Sequence, residues 1–164
     1  MYDIPALLAQ MSTDLQTTLQ RQQRTQPLMV GIHTGGVWVA SVLHQQLGLM
    51  EPLGKINIAF YRDDFSQIGL HPQVAASSLP IDINNRHVVL VDDVLYTGRT
   101  IRAALNELFD YGRPASLTLV VLVARDGREL PIQADVAGTR LDLRAEEYLQ
   151  LEGPEPLRLS IQTR

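Results

Sequence analysis

No cysteine occurs among the 164 residues. Disulfides, thiolate metal sites and cysteine nucleophiles are thereby excluded, and folding needs no oxidising compartment. A basic excess is also missing: 14 Lys and Arg stand against 18 Asp and Glu, a formal net charge of −4. That balance argues against binding phosphate backbones through overall charge, although it leaves room for a local basic face. Nowhere do about 18 apolar residues follow one another, so no membrane partner is expected. The start, Met1-Tyr2-Asp3-Ile4-Pro5, has no basic stretch leading into an apolar one, which points to a cytoplasmic protein. Neither G-x-x-x-x-G-K-[ST] nor G-x-G-x-x-G is present. The usual nucleotide-hydrolase and dinucleotide-binding readings fall with them.

Hydrophobic residues make up 45% of the chain and charged residues 20%, the balance of an ordinary globular protein. The length suits one domain over residues 1–164, with no linker, repeat or low-complexity tract to divide it. Ile4, Leu7, Leu8, Met11, Leu15 and Leu19 recur at helical spacing and predict an N-terminal amphipathic helix. Leu28-Met29-Val30-Gly31-Ile32 reads as a strand. It runs through His33-Thr34-Gly35-Gly36 into a helix carrying Val37, Ala40, Leu43 and Leu47, stopped at Gly48. Lys55 to Tyr61 alternates like a half-buried strand, and residues 62–78 have no clear period, as a functional loop would. His87-Val88-Val89-Leu90-Val91 is a strand buried on both faces, followed by a glycine turn at Thr97-Gly98 and a helix through Ile101, Ala104, Leu105, Leu108 and Phe109. A third buried strand spans residues 117–123, and shorter strand-like pieces fall at 135–137, 148–151 and 157–161. The alternation predicts an α/β fold with a largely parallel central sheet flanked by helices.

In such sheets ligands bind beyond the carboxyl ends of the strands, so the turns after Ile32, Val91 and Val123 should meet at one crevice. Two of those turns carry glycine and open a helix, where unpaired N–H groups and the positive helix end suit an anion. Thr97 and Thr100 add hydroxyls, and Gly98 lets backbone approach a phosphate. Just upstream, Asp92 and Asp93 suit ribose hydroxyls or a magnesium ion held partly by substrate oxygens. A phosphate grip beside a diol grip fits a sugar phosphate.

The run Val88-Val89-Leu90-Val91-Asp92-Asp93-Val94-Leu95-Tyr96-Thr97-Gly98-Arg99-Thr100 resembles the signature by which type I phosphoribosyltransferases bind 5-phosphoribosyl 1-diphosphate, PRPP. Val30-Gly31-Ile32-His33-Thr34-Gly35-Gly36, Phe60-Tyr61-Arg62-Asp63-Asp64, Gly112-Arg113-Pro114 and Arg128-Glu129-Leu130-Pro131-Ile132 fall in the order of one subfamily. It is that of the bifunctional pyrimidine operon regulators and uracil phosphoribosyltransferases, and the similarity covers about residues 4–162. The resemblance implies the type I phosphoribosyltransferase fold with a flexible hood loop, including Arg62, Asp63 and Asp64. It implies that Asp92 and Asp93 act in catalysis on the ribose hydroxyls, with Mg2+ bound directly or through water. Tyr96 to Thr100 would hold the 5-phosphate, and Thr34, Gly35 and Gly36 the diphosphate. Relatives acting on 6-oxopurines commonly carry aspartate where Tyr96 stands, so a pyrimidine acceptor is favoured, and Val123, Ala124 and Arg125 are placed to bind the base. The implied activity converts uracil and PRPP to UMP and diphosphate. UMP and UTP are the implied ligands, a messenger RNA leader the implied regulatory partner, and a homodimer or higher homo-oligomer the implied assembly.

Many members of that subfamily carry a basic residue where this chain has Gly35, so the grip on diphosphate should be weaker here. A nucleotide-sensing RNA-binding regulator with little turnover, and a phosphoribosyltransferase for another base, are the competing readings. His33, His44, His71 and His87 show no metal-ligand spacing and read as structural or surface residues. Trp38 reads as packing rather than base stacking. Arg21, Arg24, Arg125, Arg128, Arg140 and Arg144 could form a basic face, but interspersed Asp126, Glu129, Asp142, Glu146 and Glu147 favour scattered solvated charges.

Overall fold

The computed structural model describes residues 1–58 and 77–164. The expected hood residues Arg62, Asp63 and Asp64, together with His71 and the 59–61 end of the alternating run, lie outside the described residues. Helix α1 (Ile4–Arg21) starts where Asp3 Oδ1 accepts the Ala6 N–H at 3.0 Å, has Pro5 in its first turn and ends with Arg21 against the negative helix end. Its apolar stripe, Ile4, Leu8, Met11, Leu15 and Leu19, is buried as the spacing requires. Strand β1 (Leu28–Ile32) is buried at every position and leads into α2 (Gly35–Leu47), which stops at Gly48 in the left-handed conformation with φ of 60°.

Strand β2 (Gly54–Ile56) is followed by β3 (His87–Leu95), α3 (Arg99–Asp110), β4 (Ser116–Arg125), β5 (Val136–Leu141), and a hairpin of β6 (Glu147–Glu152) and β7 (Arg158–Thr163). The first five strands form one parallel sheet in the order β2-β1-β3-β4-β5, while β6 and β7 pair antiparallel by themselves. Helices α1 and α2 and the leucines of the hairpin cover one face around Met11, Leu15, Leu43 and Leu122. The other face is closed by α3 through Ile101, Ala104 and Leu108, packed with Ile56, Ile58 and Ile83.

One boundary differs from the sequence reading. The apolar run suggests a strand closing at Val91, yet β3 continues through Asp92 and Asp93 to Leu95. The reason lies in its two neighbours. Pairing with β1 stops at Gly31 opposite Val91, whereas β4 keeps pairing as far as Leu95 opposite Ala124. The aspartates therefore sit on a strand that has lost one partner and gained an open edge.

The chain leaves β1 toward β2 on one side and passes from β3 toward β4 and β5 on the other. The gap between the carboxyl ends of β1 and β3 is thus the switch point at which open α/β sheets form a ligand crevice. Leu15 is fully buried in the layer that seats α1 on this sheet. Leu15→Ala is expected to lower unfolding free energy by about 2–5 kcal/mol, read as a lower urea midpoint with unchanged slope.

Candidate active site

Three glycines set how closely α2 approaches the sheet. A Cβ on Gly31 would lie 2.8 Å from Val37 Cα, and one on Gly36 would lie 2.6 Å from the Val91 carbonyl oxygen and 3.0 Å from Asp92 Cα. A Cβ on Gly35 would run into the Asp93 carboxylate. The first turn of α2 therefore rests directly on the end of β3. Thr34 is the N-cap residue and makes no side-chain capping bond, so the opening N–H groups of this helix have no side chain closing them off. The His33–Thr34 peptide is cis.

A cavity of about 300 Å³ lies there, lined by His33, Thr34, Gly35, Trp38, Asp92, Asp93, Val94, Thr100 and Leu151. It brings the turn after β1 together with both aspartates and with the first turn of α3. Asp92 is buried and accepts the Asp93 N–H on Oδ1 at 2.9 Å, and Asp93 Oδ1 accepts the Val94 N–H at 2.8 Å. Each carboxylate is thus held against its own strand by a backbone donor. Val88, Val89, Leu90 and Val91 are core residues that position this end and do not line it.

The next turn is shaped for an anion. Gly98 has φ of 96°, a conformation that strongly favours glycine, and serves as N-cap of α3 without a side-chain capping bond. The Thr97 carbonyl accepts the N–H groups of Glu129 and Leu130 at 3.0 and 3.1 Å, which ties the turn to the segment after β4. Thr97 Oγ1 accepts the Arg99 N–H at 3.2 Å, whereas Thr100 faces the cavity. Intrahelical bonding begins with Arg102 N–H donating to the Gly98 carbonyl, so the preceding N–H groups stand at the positive helix end.

A second cavity of about 250 Å³ lies beyond β3 and β4, lined by Leu95, Tyr96, Ala124, Arg125, Asp126, Gly127, Arg128 and Arg140 among others. The Arg125 guanidinium carbon sits 4.1 Å from the centroid of the Tyr96 ring, a cation–π stack. Arg125 also donates to the Arg144 carbonyl at 3.1 Å, joining the end of β4 to the start of the hairpin. Of the three residues expected to meet a base, Ala124 and Arg125 line this cavity, while Val123 is wholly buried in the core.

Two residues of the first cavity escaped the sequence reading. His33 reads there as a surface or structural histidine, but it directly follows β1 and lines the cavity together with Asp92 and Asp93. Burial pushes its imidazole below the ordinary value of 6.5, and the Lys55 charge acts in the same direction. Trp38 packs against Gly153 of the hairpin, as the packing assignment requires, and lines the cavity as well. The position of His33 between a buried strand and a glycine turn was the available signal. His44 and His87 are structural: the former contacts the Glu51 carbonyl oxygen at 2.6 Å and the latter Ser116 Oγ at 2.7 Å.

A parallel sheet with two glycine turns that open helices and an acidic pair at its switch point is the arrangement expected of a sugar-phosphate binder. Sequence comparison gives the class a name: residues 1–148 match the phosphoribosyl transferase domain model. The Bifunctional protein PyrR of Nitrosococcus oceani is 60% identical over 162 residues, covering 98% of this chain and 92% of that one. The protein of the same name from Pseudomonas aeruginosa strain PAO1 is 58% identical over 153 residues, 93% of this chain and 90% of the other. Among solved structures, a Trypanosoma cruzi hypoxanthine phosphoribosyl transferase superposes with a TM-score of 0.65 at 21% identity, covering 88% of this chain and 76% of its own, a likeness of fold. The chain belongs to the phosphoribosyltransferase family, and its close relatives within it are the bifunctional PyrR proteins.

The contact of Gly36 with β3 is backbone against backbone, which no side-chain rotation relieves. Gly36→Ala is expected to lower stability by about 1–3 kcal/mol, seen in urea unfolding as a lower midpoint.

Proposed function

We propose that this chain transfers the 5-phosphoribosyl group of PRPP to N1 of uracil, releasing diphosphate and giving UMP, and that it also regulates a pyrimidine biosynthesis operon. The single observation that carries the enzymatic reading is the convergence of Asp92, Asp93, Thr34, Gly35 and Thr100 on one cavity at the switch point. In this reading the backbone N–H groups from Gly98 into α3, with Thr100, hold the 5-phosphate. Those at the start of α2 hold the diphosphate, and the two carboxylates address the ribose hydroxyls. Tyr96, Ala124 and Arg125 form the base end.

The residues present suit magnesium. Asp92 and Asp93 line one polar cavity, and among the described residues no group of three or more His, Cys, Asp or Glu forms a metal cage. Two carboxylates without a third protein ligand match an ion that keeps waters and is completed by substrate oxygens. When bound with the donor, Mg2+ supplies positive charge to the departing diphosphate. Asp92 and Asp93 would hold it directly or through water. The chain's own contribution is orientation: preformed N–H groups fix both ends of the donor, so the C1′–O bond breaks facing the acceptor nitrogen. The bond to N1 forms as that bond is lost, diphosphate takes the electron pair, and the N1 proton leaves.

Asp92→Asn and Asp93→Asn are each expected to lower kcat/KM for PRPP by about ten- to a hundred-fold, the worth of one charged hydrogen bond. The assay compares uracil, orotate, hypoxanthine, guanine and xanthine as acceptors. Wild-type rates in both variants, or a purine preferred over uracil, overturn the assignment.

Regulation through a messenger RNA leader is the second part of the proposal. The candidate basic face is thinner than the arginine count suggests. Arg24 donates inward to the Leu117 carbonyl at 3.2 Å and to Thr118 Oγ1 at 2.7 Å, and Arg144 lies within 3.8 Å of Glu146 and 3.7 Å of Glu147. Arg125 is stacked on Tyr96 and donates to the Arg144 carbonyl, which leaves Arg21, Arg128 and Arg140 as the least committed members of that face. With few phosphates neutralised, leader binding should fall with salt at a log–log slope of about −0.7 per contact, hence a shallow one. Filter binding at several salt concentrations measures it, and tight binding with a steep slope, lost on charge reversal at Arg125 and Arg128, overturns the expectation of a weak basic face. A homodimer or higher homo-oligomer completes the reading, as the family resemblance implies.

A further inference from the structure

The proposed diphosphate turn is short of positive charge. Gly35 carries no side chain, and the space its Cβ would enter is taken by the Asp93 carboxylate. Lining the same cavity, Thr34, Trp38, Thr100 and Leu151 are uncharged, and Asp92 and Asp93 are acidic. A diphosphate placed there meets backbone N–H groups on one side and two carboxylates on the other. The one basic side chain among the described residues that line the cavity is His33.

We propose that His33 is a ligand of the diphosphate, its imidazole donating to a diphosphate oxygen from the end of β1 and taking up a proton as the anion binds. This rests on the reading of the cavity as the donor site. The His33 backbone N–H is committed to the Ile56 carbonyl at 2.9 Å, so that N–H is not available to a ligand in the cavity. The charged and titratable groups around it are Lys55 on β2 and Asp92 and Asp93 on β3, while the cavity-lining residues of α2, α3 and the hairpin present none.

The sign of the linkage follows from the surroundings. In the free protein, burial and then Lys55 hold the imidazole below its ordinary value, so near neutral pH it is uncharged. A bound dianion or trianion favours the imidazolium and raises that value. The complex then carries more protons than the free protein, and affinity rises as pH falls through the window between the bound and free values. A lysine or arginine in this place would grip diphosphate equally across that range. Histidine makes the grip dependent on pH, and retention of the leaving diphosphate with it.

The chain has a single tryptophan, Trp38, and it lines the same cavity, so its fluorescence reports binding directly. Inorganic diphosphate with magnesium is titrated into wild type, His33→Asn and His33→Lys between pH 5.5 and 8.5. Asparagine keeps a neutral donor, and comparing variants at each pH cancels the titration of diphosphate itself. Wild type and His33→Asn should bind alike at pH 8.5 and separate by about ten-fold at the acid end, in keeping with a charged over a neutral hydrogen bond. His33→Lys should bind tightly with no such separation, and calorimetry in buffers of different ionisation enthalpy should show proton uptake in wild type alone. UMP, which has no diphosphate, should bind wild type and His33→Asn equally. Parallel pH profiles for wild type and His33→Asn, or an equal loss of UMP and diphosphate affinity in that variant, overturn the inference. If wild type binds neither diphosphate nor PRPP at any pH, it is the donor-site reading that fails.

Discussion

The contact between the first turn of α2 and the carboxyl end of β3 is the constraint on which the site depends. It exists because residues 31, 35 and 36 have no side chain: Gly31 lets the helix backbone close on β1, and Gly36 lets it rest on the Val91 carbonyl and Asp92. Backbone packed on backbone leaves few ways to adjust, as expected of a close-packed interior. The same approach brings helical N–H groups over the two aspartates, so opposite partial charges face each other across one small cavity. A larger residue at any of the three positions has to move the helix, the strand or the Asp93 carboxylate.

Around that contact the sheet does the positioning. β4 continues beside β3 for four residues after β1 has stopped, which keeps Asp92 to Leu95 extended while opening one edge to a ligand. The hairpin of β6 and β7 then closes the cavity from above through Leu151, and Gly153 admits the Trp38 ring against it. On the other side of the strand ends, Arg125 ties together Tyr96, the end of β4 and the Arg144 carbonyl. The two cavities are thus built by different tertiary contacts, although both draw on β3. The charged side chains that line the first cavity are mostly carboxylates, Asp92 and Asp93, and they face the start of a helix that no side chain caps.

Much of this was legible in the chain. The 3.6-residue stripe from Ile4 to Leu19, the Gly48 stop, and the β-branched runs at 87–91 and 117–123 gave the helices and the central strands, because side-chain burial imposes those periods on the sequence itself. The thirteen-residue run ending at Thr100 marked the turn into α3, since the positive φ at its helix start favours glycine at position 98. The strand boundary at Val91 was misplaced because polarity changes there while the backbone pairing with β4 does not. His33 and Trp38 were set aside because nothing in local spacing tells a side chain that faces a cavity from one that packs beside it. Arg24 counted as a surface charge for the same reason, and only the fold shows that it turns inward to Leu117 and Thr118.

What the sequence determined by itself was local: which segments are helix or strand, where glycine relieves a turn, and which run carries the resemblance to the family. These follow from preferences that each residue and its near neighbours express without the rest of the chain. Tertiary structure decided what faces what. Residues 33, 38, 92, 93, 100 and 151 are spread over more than a hundred positions and come together only because parallel crossovers place β1 and β3 side by side. Whether a charge meets a ligand, a partner or the core is a property of that juxtaposition, fixed by distance in space and not by distance along the chain.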